Sequence, residues 1–381
     1  MTTSINSYLK TTKYAQLAEY LRQEIDAGRF QPGDRLPSLN DLKEQFGANQ
    51  HTVERAHTLL ENDGLIRREP GRGVFVNHPI QRQLTGNVGF VTPISHLNQG
   101  GNLTYWGSIL TGMQRAARER NYHLLLIDEG DDFERWDKVD GVVYLKAYIP
   151  QPPAPAMPKL PSGFPAVSIF GEIPGIPCIT SDDLDGVYQC TQRLIQQGHR
   201  HIAYLAQMGE AISWQLKQRK AGYIKALTEA GIDPDTRYRH DLQARINSDG
   251  TPSWYQDAGE LSMRGWLEKD WMELECTALI AQNDGIAKGA IRAFEAAGLQ
   301  VPRDVSVVGF DGLLTESSTP RLTTIEVPLQ EIGQHAIELL LDWLKAPAQT
   351  PQNVCLPIHL IEGQTTAPPL GVVPEHALIT A

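Results

Sequence analysis

Apolar positions near the start of the chain recur at three- and four-residue steps, the mark of helices buried along one face. Tyr14, Leu17, Ala18, Leu21 and Ile25 form one such stripe, stopped by Gly28 and the turn segment Gln31-Pro32-Gly33-Asp34. Leu36-Pro37-Ser38 opens a second helix: Ser38 is a good N-cap, Asp41 three residues on makes an approximate capping box, and Leu39, Leu42 and Phe46 form the buried face before Gly47. A third helix starts within Ala48-Asn49-Gln50-His51-Thr52-Val53, with Asn49 as cap and Val53, Ala56, Leu59 and Leu60 turned inward. Asp63-Gly64 ends it. Leu65 to Arg68 and Val74 to Val76 then flank Pro70-Gly71-Arg72-Gly73, which predicts a hairpin. Three helices and a β-wing in about 65 residues predict a small α+β winged helix-turn-helix.

Asn77 to Leu84 shows no clear period and contains Pro79, as a linker does. From Val88 onward short apolar runs alternate with helical stripes. Strands are predicted at 87–92, 122–127, 141–145, 166–170, 202–206, 278–281 and 305–310, and helices at 106–120, 186–197, 219–230 and 285–297. Strands separated by helices imply parallel sheets with right-handed crossovers. About 280 residues of this pattern fit two α/β lobes, with a ligand cleft at the strand C-termini. The expected organisation is a winged helix-turn-helix at 1–77, a linker at 78–86, a two-lobed effector-binding and dimerisation unit at 87–366, and a tail at 367–381.

Composition changes this picture little. Of 381 residues, 41% are hydrophobic and 21% charged, as in soluble globular proteins. No apolar run reaches the roughly 20 residues of a membrane helix, and the N-terminal stretch has no signal-peptide core, so the expected location is the cytoplasm. Cys178, Cys190, Cys276 and Cys355 form no C-x-x-C pair and read as reduced, metal-free side chains. Charge matters more. The net charge is −11, yet residues 1–80 hold ten basic and ten acidic side chains, so the whole deficit lies further on. An electroneutral reader predicts modest, salt-sensitive DNA affinity reinforced by dimerisation.

The N-terminal unit resembles the GntR family of regulators. The match runs through Asp26-Ala27-Gly28-Arg29-Phe30-Gln31-Pro32-Gly33-Asp34-Arg35-Leu36-Pro37-Ser38, Thr52-Val53, Leu59-Leu60-Glu61, Gly64-Leu65-Ile66 and Gly71-Arg72-Gly73-Val74-Phe75-Val76. The resemblance implies that the third helix meets base edges while a helix start holds a phosphate. It implies DNA contacts at Ser38, Asn40, Asn49, Gln50, His51, Thr52, Arg55 and Arg72. Asn40 and Asn49-Gln50 stand where such proteins usually carry Arg and Ser-Arg. Because Asn and Gln favour adenine edges, an operator richer in A·T contacts is expected. Capping alone explains Ser38 and Asn49 equally well, and a solvated helix face is the alternative for Gln50, His51 and Arg55.

The second unit resembles the sensors of LacI-type repressors, themselves similar to periplasmic sugar-binding proteins. Asp140-Gly141-Val142-Val143, Gly198-His199-Arg200-His201-Ile202-Ala203, Arg219-Lys220-Ala221-Gly222-Tyr223 and Asn283-Asp284-Gly285-Ile286-Ala287-Lys288-Gly289 carry the likeness. So do Gly298 to Asp311 and Pro320-Arg321-Leu322-Thr323-Thr324-Ile325. The pairing is similar to that of the arabinose repressors of some bacteria. The resemblance places effector contacts at Arg219, Asn283 and Asp311, whose fork, amide and carboxylate suit adjacent hydroxyls. It adds Tyr105 and Trp106 ahead of the first sensor helix, and Trp254 as a ring for a sugar face. Core packing is the alternative for each aromatic, and a structural ion pair for Arg219. Phe170 replaces a polar contact of some relatives. Lys146 opens a proline-rich loop over 145–165, a rim that would serve an acidic ligand or else a plain spacer.

The expected function is a DNA-binding regulator, by resemblance a repressor, that acts as a homodimer on operator DNA under a sugar-like effector and needs no cofactor. A transport solute-binding protein is opposed by the winged helix. An enzyme is opposed by the absence of any G-x-S-x-G, P-loop, HExxH or strand-following G-x-G-x-x-G motif.

Overall fold

The computed structural model describes residues 12–62, 65–76, 84–92, 103–128, 136–145, 160, 164–208, 213–243, 245–246, 252–253, 255–313, 320–345 and 351–370. Lys146, Trp254, most of the expected linker, most of the 145–165 loop and the tail beyond 370 lie outside them.

The N-terminal unit is built from α1 (Lys13–Asp26), α2 (Leu39–Phe46), α3 (Gln50–Asn62), β1 (Ile66–Glu69) and β2 (Gly73–Val76). Its core gathers Leu17, Leu21, Leu42, Val53, Ala56, Leu60, Ile66 and Val76. Leu59 departs from expectation and is exposed. The inward stripe of α3 runs Val53, Ala56, His57, Leu60, and a residue one step before Leu60 falls about 100° off it. Ser38 and Asp41 form the reciprocal capping box of α2, and Gly47 closes that helix at φ 57°. The Gln31–Asp34 turn leads into more than a turn. Gly33 N–H donates to Val76 O (3.0 Å), Val76 N–H to Asp34 O (2.8 Å) and Leu36 N–H to Val74 O (2.9 Å), so the segment lines up as a third ribbon on the wing. Gly73 sits there at φ 124°, a backbone conformation that favours glycine, with the Arg35 guanidinium packed over it.

The remainder contains two six-stranded sheets. The first orders its strands β15-β7-β6-β5-β3-β4, from β3 (Asn87–Thr92), β4 (His123–Asp128), β5 (Gly141–Leu145), β6 (Ala166–Ile169), β7 (Cys178–Ser181) and β15 (Val354–Leu356). The second orders β16-β14-β13-β12-β8-β9, from β8 (Ile202–Ala206), β9 (Arg239–Asp241), β12 (Ala278–Ala281), β13 (Ser306–Asp311), β14 (Thr323–Glu326) and β16 (His359–Ile361). All neighbours pair parallel except β14 and β16. A further hairpin joins β10 (Arg245–Ile246) and β11 (Pro252–Ser253). The parallel α/β class read from the alternation of strands and helices is therefore found, with the inner strands β5, β8 and β12 buried along their whole length, as strands covered on both faces require.

Helices α4 (Leu103–Glu119) and α9 (Leu329–Lys345) pair beside the first sheet, α5 (Asp183–Gln196) and α6 (Trp214–Glu229) pair with each other, and so do α7 (Gln256–Lys269) and α8 (Asp284–Ala296). Close backbone approach needs glycine at the α4–α9 crossing: a Cβ on Gly112 would lie 1.9 Å from Gln330 O, and one on Gly333 2.2 Å from Ile109 O. Strands β7, β9 to β11 and β14 to β16 and helices α7 and α9 were not among the expected elements. Tyr105 and Trp106 fall inside the first turn of α4, not ahead of it. The chain passes between the sheets three times, after β7, between β14 and β15, and between β15 and β16. No helix among the described residues is long and apolar enough to cross a membrane.

His199 fixes the end of the second lobe. Its Nε2 meets Ala367 O at 2.9 Å and its Nδ1 meets Thr277 Oγ1 at 2.8 Å. A carbonyl only accepts, so Nε2 carries the proton and the ring is bound neutral. Ser306 Oγ also donates to Ala367 O (2.9 Å), which ties down the residue where the tail was expected to begin. Burial pushes His199 down to about 4, with the charge of Arg200 adding. A ring that is harder to protonate when folded supports stability above its unfolded value, near 6.5, and loses that support as pH falls towards 4. The expected loss is about 3 kcal/mol over that window. Denaturant titrations of the parent and His199→Gln at pH 7.5 and 4.5 check this: the variant starts less stable and has a flatter pH dependence.

Candidate functional site

On the N-terminal unit the start of α3 projects from the left-handed turn at Gly47. Asn49 Oδ1 accepts from both the Thr52 N–H and the Thr52 hydroxyl at 2.8 Å, so Asn49 caps the helix and Thr52 is committed to it. Ser38 is likewise engaged in its capping box. Gln50 Nε2 donates to Glu54 Oε1 (2.7 Å), while Asn40 and His51 are exposed. Arg55 lies over the Tyr14 ring, 4.3 Å from its centroid, which restrains it against α1. Arg72 stands at the wing tip with 75% of its side chain exposed and pairs with Glu69 Oε2 at 2.6 Å. An exposed pair of that kind is weak enough to exchange for a phosphate.

The second candidate centre lies at the C-terminal ends of the strands. Arg219, on α6, is buried with its guanidinium 3.5 Å above the Phe310 ring. Its Nε donates to Asp183 Oδ2 (2.7 Å) and its Nη1 to Gln282 O (2.7 Å). Nη2 lies 3.8 Å from Asp311 Oδ1. Asp183 follows β7 at the first passage between sheets; its carboxylate is 0% exposed and also accepts from Ser181 Oγ (2.5 Å). Asp311 closes β13 at φ 111°, and Phe170 closes the β6 region at φ 62°; such backbone strain in non-glycine residues concentrates at functional sites. Asn283 Oδ1 caps α8 by accepting from Ile286 N–H (2.8 Å). Asp284 accepts from Leu313 N–H (2.7 Å) and from the Thr324 hydroxyl, which fixes the turn after Asp311.

Burial is the main force that lifts the Asp311 carboxyl well above the ordinary range. Arg219 opposes the lift, and Asp284 and Asp183 add to it. Burial works against the Arg219 charge as well, yet Asp183 and Asp311 hold it firmly cationic. Tyr105 is held well above its usual value, first by burial and then by the charge of Asp311. Its ring packs on Trp106 at 4.9 Å and faces Phe170 at 6.0 Å. Trp106 is part of the packed lobe core, and its indole N–H has no hydrogen-bond partner among the described residues.

The structure thus gathers Tyr105, Arg219, Asn283 and Asp311 at one end of the sheets, with Trp106 beneath Tyr105. The Arg219 fork, expected to be open for hydroxyls, is closed mostly by protein partners. Reading the sequence missed Asp183, Gln282 and Asp284. A signal for Asp183 was present: Ser181-Asp182-Asp183 directly follows the short apolar run Cys178-Ile179.

Comparisons with known proteins agree with this geometry. Residues 13–76 match the bacterial regulatory proteins of the gntR family, and residues 191–366 match a periplasmic binding protein-like domain. The chain is 27% identical over 350 residues to an arabinose metabolism transcriptional repressor of Geobacillus stearothermophilus, covering 87% of this chain and 91% of that protein. Among solved structures, a complex of the transcriptional regulator CelR with cellobiose has a TM-score of 0.61 at 24% identity, over 87% of this chain and 100% of that one. A LacI family regulator from Enterococcus faecium with bound ribose has a TM-score of 0.59 at 22% identity, over 74% of this chain and 99% of that one.

Removing one partner of a buried ion pair leaves an uncompensated charge, at a cost of about 3–5 kcal/mol. Asp183→Ala is therefore expected to destabilise the chain by that order in denaturant unfolding. A paired Asp183→Leu, Arg219→Met variant recovers most of the loss, because both charges are then gone. An Asp183→Ala change below about 1 kcal/mol would show that water reaches the pair.

Proposed function

Residues 13–76 are a winged helix-turn-helix of the gntR family and residues 191–366 belong to a periplasmic binding protein-like domain; from that pairing we propose a transcriptional repressor whose grip on operator DNA is set by a carbohydrate effector. The observation that carries the reading is the buried Arg219–Asp183–Asp311 cluster at the strand ends, in the same chain as an exposed Asn49-Gln50-His51 helix start. The N-terminus of α3 enters the major groove, where Gln50 reads an adenine edge, the Nδ2 of the capping Asn49 donates to a neighbouring base and His51 stands beside them. Ser38, Thr52 and the α2 start position the backbone on phosphates. Asn40, Arg55 and Arg72 supply further contacts, Arg72 from the wing. Relatives named as repressors, and solved neighbours that hold ribose or cellobiose, support both halves of this reading. The protein works without a cofactor or a catalytic step, in the cytoplasm.

The repressor acts as a homodimer. Strand β4 is an edge with Leu125 and Leu126 exposed, and the neighbouring face of α4 shapes a cavity of ≈ 490 Å³ lined by Gln114, Arg118, Tyr122 and Leu124. An unpaired apolar edge calls for cover, and a second copy about a two-fold axis provides it while presenting two readers to a palindromic operator.

Selection of bound duplexes from a random pool tests the DNA half; recovery of no preferred sequence overturns it. On the selected operator, Arg72→Ala is expected to weaken binding evenly across sequences and to lower the salt slope by about 1. Gln50→Ala is expected to relax preference at one A·T pair by about 1–3 kcal/mol. Binding curves on matched and substituted operators separate the two effects.

A further inference from the structure

We infer, building on the carbohydrate reading above, that the cleft selects an uncharged polyhydroxylated ligand and rejects its phosphorylated and carboxylated derivatives. Among the described residues, Arg219 is the guanidinium gathered with Asp183 and Asp311 at the strand ends. Recognition of phosphate or carboxylate by arginine uses a free fork of two parallel N–H donors. Arg219 is already partly committed: Nε is bound to Asp183 and Nη1 to the Gln282 carbonyl, and Nη2 lies 3.8 Å from the Asp311 carboxylate, so an anion on its remaining N–H donors would sit beside Asp311. An incoming anion would compete with two buried carboxylates, Asp183 and Asp311, for that one cation.

Charge balance points the same way. The groups whose charges reach Asp311 are Arg219 on one side and Asp284 and Asp183 on the other, so carboxylates outnumber the cation around the site. A phosphate set against Asp311 meets repulsion in a low-dielectric surrounding, where it is least screened. A hydroxyl meets none. The Asp311 carboxyl, 11% exposed, accepts from a hydroxyl when ionised and also donates to one when protonated. The Tyr105 phenol is held in its neutral, donating form. The half-buried Tyr105 ring, backed by the buried Phe170 ring 6.0 Å away, offers an apolar face to the C–H side of a sugar ring. Among the described residues the cleft thus supplies hydrogen bonds and apolar surface without a surplus positive charge, which is the recognition chemistry of a neutral sugar. This runs against the expectation that Lys146 would serve an acidic ligand.

Isothermal titration of the full-length protein tests this with matched pairs: ribose and ribose 5-phosphate, arabinose and arabinose 5-phosphate, galactose and galacturonate, glucose and glucose 6-phosphate, cellobiose and cellobionate. At least one neutral member is expected to bind, and its anionic counterpart to bind at least a hundredfold more weakly. The comparison needs only the unmodified protein. Asp311→Asn, checked for an unchanged melting profile, is expected to weaken the neutral sugar while narrowing the gap between the pair to within tenfold. An anionic member that binds as tightly as its neutral partner overturns the inference and leaves the carbohydrate reading intact, with Lys146 as the cation to replace next. Binding by no member of either set overturns both together.

Discussion

A guanidinium buried between two carboxylates cannot be placed casually, because each charge taken from water must be answered by another at hydrogen-bond distance. Arg219 sets this demand for the whole effector unit. Its Nε requires Asp183, which sits where the chain leaves the first sheet. Its Nη1 requires the Gln282 carbonyl at the end of β12. Its flat face lies on Phe310, one residue before Asp311. Three strand ends are therefore positioned against one side chain. The helices that carry and face Arg219 must also pack closely, and α6 meets α5 at Gly222, where a Cβ would lie 2.2 Å from Leu184 O.

Around that centre the backbone is held under strain at two places, Phe170 at φ 62° and Asp311 at φ 111°. Each such residue costs of order 1–3 kcal/mol and persists only where its surroundings over-determine it. For Asp311 those surroundings are visible. Asp284, at the start of α8, accepts from the Leu313 N–H and the Thr324 hydroxyl, so the turn beyond Asp311 is pinned from a neighbouring helix and strand. The carboxyl of Asp311 is aimed by contacts it does not itself make.

How much of this could be read beforehand depends on the range of the interaction involved. The capping box of Ser38 and Asp41 and the cap of Asn49 on Thr52 are local, and their spacing showed them. The alternation of apolar runs such as Val142-Val143 and Ile202-Ala203 showed the parallel sheets. Arg219, Asn283 and Asp311 were located by family likeness, and the structure brings them together. Asp183 escaped because its partner lies 36 residues on, and no period links a strand end to a distant helix. Helix α7 escaped because Gly259, Ser262 and Gly265 dilute its stripe; Gly259 also lets it lie against α8, where a Cβ would stand 2.4 Å from Ile286 O. Helix α9 is different: Leu329, Ile332, Ala336, Ile337, Leu340 and Leu341 keep a clear helical spacing, so its pattern was legible although it was not among the expected elements. The backbone bonds from Gly33, Asp34 and Leu36 to Val74 and Val76, which build the third ribbon of the wing, needed the folded backbone to be seen.

The three passages between the sheets explain why a small ligand has mechanical purchase. Asp183 lies on the first passage and is held both by Ser181 of the first sheet and by Arg219, so the ion pair spans the junction. Tyr105, on α4 beside the first sheet, feels the charge of Asp311, at the end of a second-sheet strand. A ligand seated between these residues touches both sides at once. It shifts the arrangement of the lobes only by the difference in its affinity for the two arrangements, and a difference of about 1–3 kcal/mol is enough to change DNA affinity by one to two orders of magnitude. An uncharged ligand achieves this by adding hydrogen bonds on both sides of the junction while leaving the Arg219–Asp183 pair closed. An anion would compete with Asp183 and Asp311 for the same guanidinium and so would weaken the contact that spans the junction.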